Sequence, residues 1–275
     1  MVLFPNCKIN LGLNITRKRE DGYHELETVF YPVAIKDALE AIKSGFENKG
    51  PGVTFSGTGL PVTGNPEDNL CVKAWHLLKK DFPDLPSVQL HLHKAIPMGA
   101  GLGGGSSDGA FTLQLLNLLF KLGLSQEQLV LYALQLGSDC PFFILNKPCF
   151  AKGRGEIMQE IDLDLSGYRC ILVNPNIHLS TARAFSQITP GKHAQSVSEI
   201  IQYPIQQWKD QLLNDFEKSV SILHPAISEI KKELYQKGAV YASMTGSGST
   251  VYGIFEKNSS PSLSFDAHWQ VFYTY

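Results

Sequence analysis

Residues 97–110 read Pro97-Met-Gly-Ala-Gly-Leu-Gly-Gly-Gly-Ser-Ser-Asp-Gly-Ala110, and five of the seven positions from Gly99 to Gly105 are glycine. Glycine weakens helix and strand by roughly 0.5–1 kcal/mol per position relative to alanine. A run this dense therefore points to a need for bare backbone. On its N-terminal side SVQLHLH (87–93) alternates, with Val88, Leu90 and Leu92 on one face, which predicts a strand. On its C-terminal side DGAFTLQLLNLLFKL (108–122) predicts a helix, with Ser106 or Ser107 as N-cap and Gly123 as stop. Backbone N–H groups at a helix start lack internal partners and carry a partial positive charge. Glycines let a polyanion come close enough to use them. Strand, bare loop and helix thus read as a phosphate cradle, with a flexible tight turn as the plain alternative.

Three familiar patterns come close and fail. Gly99-Ala-Gly-Leu-Gly-Gly104 satisfies GxGxxG, but Lys94–Met98 separates it from the strand and no acidic residue follows at the spacing a dinucleotide site needs. The Walker form is absent, since Gly191-Lys192 is followed by His193. Val33-Ala-Ile-Lys36 spells a protein-kinase motif, yet it precedes the glycine loop and neither HRD nor DFG occurs.

Further from the loop, CKINLGLNI (7–15) alternates, with Cys7, Ile9, Leu11, Leu13 and Ile15 on one face. A charged turn, RKREDGYH (17–24), leads into ETVFYPVAI (27–35), so the start reads as a hairpin. VTFSG (53–57) is a weak strand. Asp68 or Asn69 caps a helix over 70–82, and Ser125 with Gln128 forms a capping box for 126–136, which Gly137 ends. Beyond it, 168–175 reads as a strand, and 181–187 and 200–222 as helices, the latter interrupted at Pro204. Pro225 opens a helix closed by Gly238, and strands at 239–244 and 249–255 flank a second glycine turn, TGSGS. The fold class is α+β, with a first domain over 1–155 and a second over 156–275.

The 275 residues suffice for a sizeable core, and 43% hydrophobic with 18% charged is the composition of a folded chain. A net charge of −2 gives no electrostatic reason to expect nucleic acid. The N-terminus lacks a basic segment followed by a continuous apolar run, and no apolar stretch approaches a membrane span. Five cysteines without CxxC spacing argue against a disulfide framework or zinc site and for a reducing compartment. These features read as a soluble cytoplasmic protein without a nucleic-acid or membrane partner; oligomeric state is not legible. His91 and His93 read as outward strand histidines and not as a metal pair, having no third ligand nearby.

PMGAGLGGGSSDGA resembles the phosphate loop of the GHMP kinase superfamily, and CKINLGLNI and ASMTGSGSTVYGIF (242–255) resemble that superfamily's first and third motifs in the right order. KINLGL, RxDGYHELET, LGSDCPFF and FAKGRGE are similar to a branch acting on a cytidine-diphosphate-linked methyl polyol, and the likeness runs from Pro5 to about Phe255. The resemblance implies a ribosomal-protein-S5-like N-terminal domain and a ferredoxin-like C-terminal domain, with the ligands between them. It implies ATP and Mg²⁺ as cofactors, and transfer of the γ-phosphate to a tertiary hydroxyl of a small cytidine diphosphate derivative.

It also implies roles. Pro97, Gly99, Gly101, Leu102, Gly103, Gly104, Gly105, Ser106 and Ser107 match the ATP loop, and Asn69 and Lys94 match positions near adenine or ribose. Asp139, otherwise a solvated loop acid, matches the catalytic base toward the substrate hydroxyl. Lys8, otherwise an exposed strand lysine, matches the cation that pairs with it, and Asn10 helps to orient the same group. Tyr23 and His24 match residues that stack on and hydrogen-bond the cytosine. Phe185, otherwise core, stacks from the other side, with Thr181 near ribose or diphosphate. Ser106 or Ser107 is in a position to reach Mg²⁺, but no acidic metal ligand is recognisable. Gly109 stands where alanine is usual, which on helix propensity alone weakens the first turn by roughly 1 kcal/mol. Ser138, Cys140 and Thr245 are further small departures.

Three other readings compete. A homoserine or mevalonate-type kinase needs a cation for a substrate carboxylate, and Arg183 is available. A nucleotide-binding sensor needs no Lys8 or Asp139, and both are present. A dehydrogenase is opposed by the GxGxxG spacing.

Overall fold

The computed structural model describes residues 1–44, 52–62, 64–186, 188–191 and 193–274, with the side chains of Ala182 and Arg183 excepted. Gln187, Lys192 and the side chain of Arg183, each part of an expectation above, lie outside it. In chain order the elements are β1 (Val2–Leu3), β2 (Asn6–Lys18), β3 (His24–Lys36), β4 (Ala38–Lys43), β5 (Val53–Gly59), α1 (Leu70–Asp81), β6 (Val88–Lys94), α2 (Gly104–Phe120), α3 (Gln126–Leu136) and α4 (Cys140–Leu145). There follow β7 (Cys149–Lys152), β8 (Ile157–Glu160), β9 (Tyr168–Asn174), α5 (Thr181–Ser186), α6 (Val197–Ile200), α7 (Asp215–Leu223), α8 (Ala226–Gln236), β10 (Tyr241–Met244), β11 (Val251–Glu256) and β12 (Gln270–Tyr273). The chain is α+β, as its sequence pattern implies.

Two compact units emerge. The first comprises residues 1–7, 34–98 and 103–146, and the second 8–33, 99–102 and 147–275. Neither is continuous, unlike the expected division at 155/156.

In the first unit a four-stranded sheet has the order β1-β4-β6-β5. β6 runs antiparallel to β4, with Leu39 opposite Leu92, and parallel to β5, with Phe55 opposite Leu90. The period-2 pattern of β6 buries Val88, Leu90, Leu92 and Lys94 and turns Gln89, His91 and His93 outward. The two histidines bond to hydroxyls across the sheet: His91 to Ser56 and Thr58, and His93 to Thr58. Asn69 caps α1 by accepting from the Cys71 N–H at 2.8 Å. Ser125 and Gln128 complete the capping box of α3.

The start of α2 differs from expectation. It begins at Gly104, its N-cap is Gly103 at φ 69°, and no side chain caps it. Ser106 and Ser107 stand inside the first turn, where a serine hydroxyl is not placed to cap. Gly109 also finds a reason: a Cβ there would lie 2.8 Å from Leu70 Cβ. The space between α1 and α2, not helix propensity, sets that residue.

The second unit holds two sheets of order β2-β3-β7-β8 and β10-β11-β9-β12. Its core gathers Leu13, Ile15, Ile171, Val173, Phe216, Ile227, Ile230, Leu234, Met244 and Phe255. The helix expected over 200–222 is not one helix. It is α6 before Pro204, a 3₁₀ turn at Ile205–Gln207, and then α7, capped by Asn214. Trp208, 1% exposed, is buried in the intervening segment. β2 corrects another expectation, since its residues Asn6–Ile15 are buried on both faces and Lys8 and Asn10 are 4% and 3% exposed.

Candidate active site

The loop after β6 is fixed from behind by charge. Asp37, at the β3–β4 junction, accepts from the backbone N–H groups of Ala95 (2.6 Å) and Ile96 (2.8 Å) through Oδ1. Its Oδ2 takes the Lys94 ammonium, which also reaches Asp108 Oδ2 at 2.8 Å. The Lys94 side chain has no solvent exposure. The Lys94 ammonium is turned inward to two carboxylates, as the alternation of β6 requires, so its side chain does not face solvent where a nucleotide would lie. Burial pushes the Asp108 carboxyl up to about 7, the Lys94 charge working against that and the Asp37 charge with it. Burial lowers the Lys94 pKa, but the two carboxylates, Asp108 first, outweigh it and leave the ammonium raised.

Along the loop, Pro97 is buried, Met98 and Gly99 are exposed, and Gly101, Gly103, Gly105 and Ser106 are half-buried. Ser106 stands beside the Cys140 thiol, whereas the Ser107 hydroxyl is sealed in and, among the described residues, has no hydrogen-bond partner. With no side-chain cap at Gly103, the leading N–H groups of α2 meet no competing serine or aspartate. At Gly101 (φ 78°) a Cβ would fall 2.1 Å from the Thr245 carbonyl oxygen. Only glycine lets these two backbones approach so closely. Gly104 packs on Lys94, where a Cβ would meet Nζ at 3.0 Å.

Asp139 is half-buried and stands as N-cap residue of α4, at φ −85° and ψ −16°. Pro141 lies in the first turn of this helix, where proline is well tolerated.

In the second unit the Lys8 backbone N–H donates to the Leu102 carbonyl at 3.0 Å. The Lys8 ammonium donates to Asn10 Oδ1 at 2.6 Å and lies 5.0 Å from the Phe30 ring centroid. Thr245, the residue that departs from serine, accepts from the Asn10 N–H at 3.0 Å and donates to the Gly101 carbonyl at 3.1 Å.

His24 stacks on Phe185 at 5.2 Å between centroids, and Phe185 meets Phe216 edge-on at 4.8 Å. Burial, with the Lys18 charge adding to it, holds the His24 imidazole below the usual histidine value. Tyr23 is 56% exposed, and the Arg154 guanidinium covers its ring at 5.0 Å. Arg154, from FAKGRGE, is far from Tyr23 in the chain, so no local pattern signals this contact. Thr181 Oγ1 lies 3.1 Å from Oγ of Ser247, a residue of the second glycine turn.

The chain is similar to known proteins over most of its length. Residues 69–147 match the model of the GHMP kinases N terminal domain, and residues 204–264 that of the GHMP kinases C terminal. The chain belongs to the GHMP kinase family. It is 56% identical over 256 residues to a 4-diphosphocytidyl-2-C-methyl-D-erythritol kinase of Bacteroides thetaiotaomicron, covering 93% of this chain and 92% of that protein. It is 51% identical over 267 residues to the protein of the same name from Azobacteroides pseudotrichonymphae, covering 97% of each. Among solved structures, a 4-(cytidine 5'-diphospho)-2C-methyl-D-erythritol kinase superposes with a TM-score of 0.78 at 29% identity over 92% of this chain and 90% of that one. A homoserine kinase from Cytophaga hutchinsonii shares the fold, with a TM-score of 0.68 at 15% identity over 92% and 85% of the two chains.

Proposed function

We propose that the chain is an ATP-dependent kinase that phosphorylates the 2-hydroxyl of 4-diphosphocytidyl-2-C-methyl-D-erythritol, a step of non-mevalonate isoprenoid precursor synthesis. The observation that carries this reading is the side-chain-uncapped start of α2 behind a loop that is nearly all glycine. It is joined to 56% identity with a kinase of that name.

ATP phosphates lie along the backbone N–H groups of Gly99–Gly105 and the first turn of α2. Ser107 and the buried Pro97 and Leu102 shape that turn from beneath, and Asn69 supports it through the cap of α1. The substrate hydroxyl oxygen attacks the γ-phosphorus, the bond to the bridging oxygen breaks, and ADP leaves. Asp139 takes the hydroxyl proton, and the Lys8 ammonium, oriented by Asn10, offsets the developing negative charge. His24 and Phe185 receive the cytosine, Tyr23 its outer face, and Thr181 with Ser247 the ribose or diphosphate.

Among the described residues no three His, Cys, Asp or Glu side chains form a metal cluster. Oxygen donors do stand at the loop, and the Ser106 hydroxyl fits a hard cation that arrives on the nucleotide. The phosphates and Ser106 would hold Mg²⁺, which would supply neutralising charge there. Among the described residues no helix is long and apolar enough to cross a membrane. The five free cysteines favour the reducing cytoplasm, and neither nucleic acid nor a membrane is needed as partner.

The test is ADP release with Mg-ATP against three acceptors: 4-diphosphocytidyl-methylerythritol, homoserine and mevalonate. Turnover with the first alone is expected. Turnover with either of the others would move the chain to another branch of the family and release Tyr23, His24 and Phe185 from their roles. Silence with all three while ATP still binds would favour a sensor.

A further inference from the structure

We infer that Thr28 is a positioning residue for phosphoryl transfer, because its hydroxyl fixes which end of the Asn10 amide faces Lys8. The inference rests on the proposed role of Lys8.

Thr28 lies on β3 opposite Ala151 of β7, and it is fully buried. Its hydroxyl donates to the Gly12 carbonyl at 2.5 Å. That commits its only proton, so toward any other neighbour the oxygen acts only as an acceptor. The Asn10 side chain lies 3.0 Å away and donates to it through Nδ2. The amide oxygen must then point the other way, and there it accepts from the Lys8 ammonium at 2.6 Å. Flipping the amide would set N–H against N–H at Lys8 and oxygen against a spent hydroxyl at Thr28, two repulsive contacts in place of two hydrogen bonds.

The backbone of Asn10 is pinned independently. Its N–H donates to Thr245 Oγ1 at 3.0 Å, and its carbonyl accepts from the Tyr252 hydroxyl at 2.7 Å. With the main chain fixed at both groups, the remaining freedom of Asn10 is the rotation of its amide; Thr28 holds the Nδ2 end, while the Thr245 hydroxyl lies 3.3 Å from Oδ1 at the other. A buried ammonium has few acceptors to choose from, and one held at constant orientation keeps its charge in one place.

The test uses the full chain and ADP release with Mg-ATP and 4-diphosphocytidyl-methylerythritol. Thr28→Val keeps shape and loses the hydroxyl, and Thr28→Ala serves in its place if the valine chain does not fold. The expected fall in kcat is about tenfold, the size of one well-placed hydrogen bond, with KM for ATP unchanged. Thr28→Ser restores kcat. In the Asn10→Ala background, Thr28→Val produces no further loss, because Thr28 acts through that amide. Wild-type kcat in Thr28→Val, or additive losses in the double variant, would overturn the proposal, provided Lys8→Met is inactive. If Lys8→Met turns over normally, the role of Lys8 itself fails, and the positioning of Lys8 by Thr28 falls with it.

Discussion

Lys94 Nζ lies 2.8 Å from Asp108 Oδ2, with the two side chains 0% and 4% exposed, so the strand before the glycine loop and the helix after it share one buried ion pair. Asp37 is the third member and also holds the Ala95 and Ile96 N–H groups. Two carboxylates facing one ammonium leave an excess negative charge, and burial makes that costly. Asp108 consequently holds its proton up to about pH 7. Its folded pKa is raised above the unfolded value, so the unfolded chain releases this proton first. Between about pH 4 and the folded pKa the unfolded state binds fewer protons, and this group's contribution to stability is lost as pH rises. Asp108→Asn keeps an acceptor for Lys94 and cannot titrate. Chemical denaturation of both proteins from pH 4 to pH 8 should show a flatter stability curve for the variant. Parallel curves would remove Asp108 from the account.

Much of this arrangement is legible in the sequence where the cause is local. Asn69 and the Ser125–Gln128 box mark the starts of α1 and α3, and their partners lie within three residues. The alternation Val88, Leu90, Leu92 carries on to Lys94 and puts it inward. Its partner Asp37 is 57 residues away, and no local pattern announces it. β4 went unread for the same reason, because Ala38–Lys43 is a strand through its pairing with β6. Lys8 reads as exposed from alternation alone, and only packing on both faces of β2 buries it. Spacing predicts Ser106 or Ser107 as the cap of α2, and the structure places the cap at Gly103. A side-chain cap would compete for the N–H groups that the proposed site offers to phosphates, a conflict that spacing does not reveal.

Asp139→Asn separates binding from chemistry. The amide keeps the shape and loses the capacity to take a proton. ATP affinity, measured by calorimetry, is expected to stay within about threefold of wild type, while kcat falls by about 10²–10⁴-fold, the range for removal of a general base. Near wild-type turnover would reject Asp139 as the base.

The stacked pair of His24 and Phe185 predicts a substrate-specific defect. Phe185→Ala removes a ring face worth about 1–3 kcal/mol to a stacked base, so KM for the cytidyl substrate should rise about tenfold or more with KM for ATP unchanged. His24 adds a pH signature. Burial disfavours its charged form, so the folded chain keeps it neutral while unfolded histidine protonates. Stability from this site is present above the unfolded histidine pKa and is lost as pH falls through it. A proton NMR titration of the His24 ring should give a midpoint below that of a free histidine. A midpoint above it would contradict the burial-driven shift.

Gly109→Ala sets packing against propensity. In an open helix the change adds roughly 1 kcal/mol of stability. Here the new methyl would lie 2.8 Å from Leu70 Cβ, an atom fixed to the backbone of α1. Relief requires α1 and α2 to move apart, and overpacking of this kind costs about 1–3 kcal/mol. The balance favours a net loss, so the melting temperature should fall by a few degrees. Because Asp108 and Ser107 precede Gly109 on the same helix, separation of α1 from α2 should also raise KM for ATP. A rise in melting temperature would mean that the two helices can part freely at this point and that glycine is not required there.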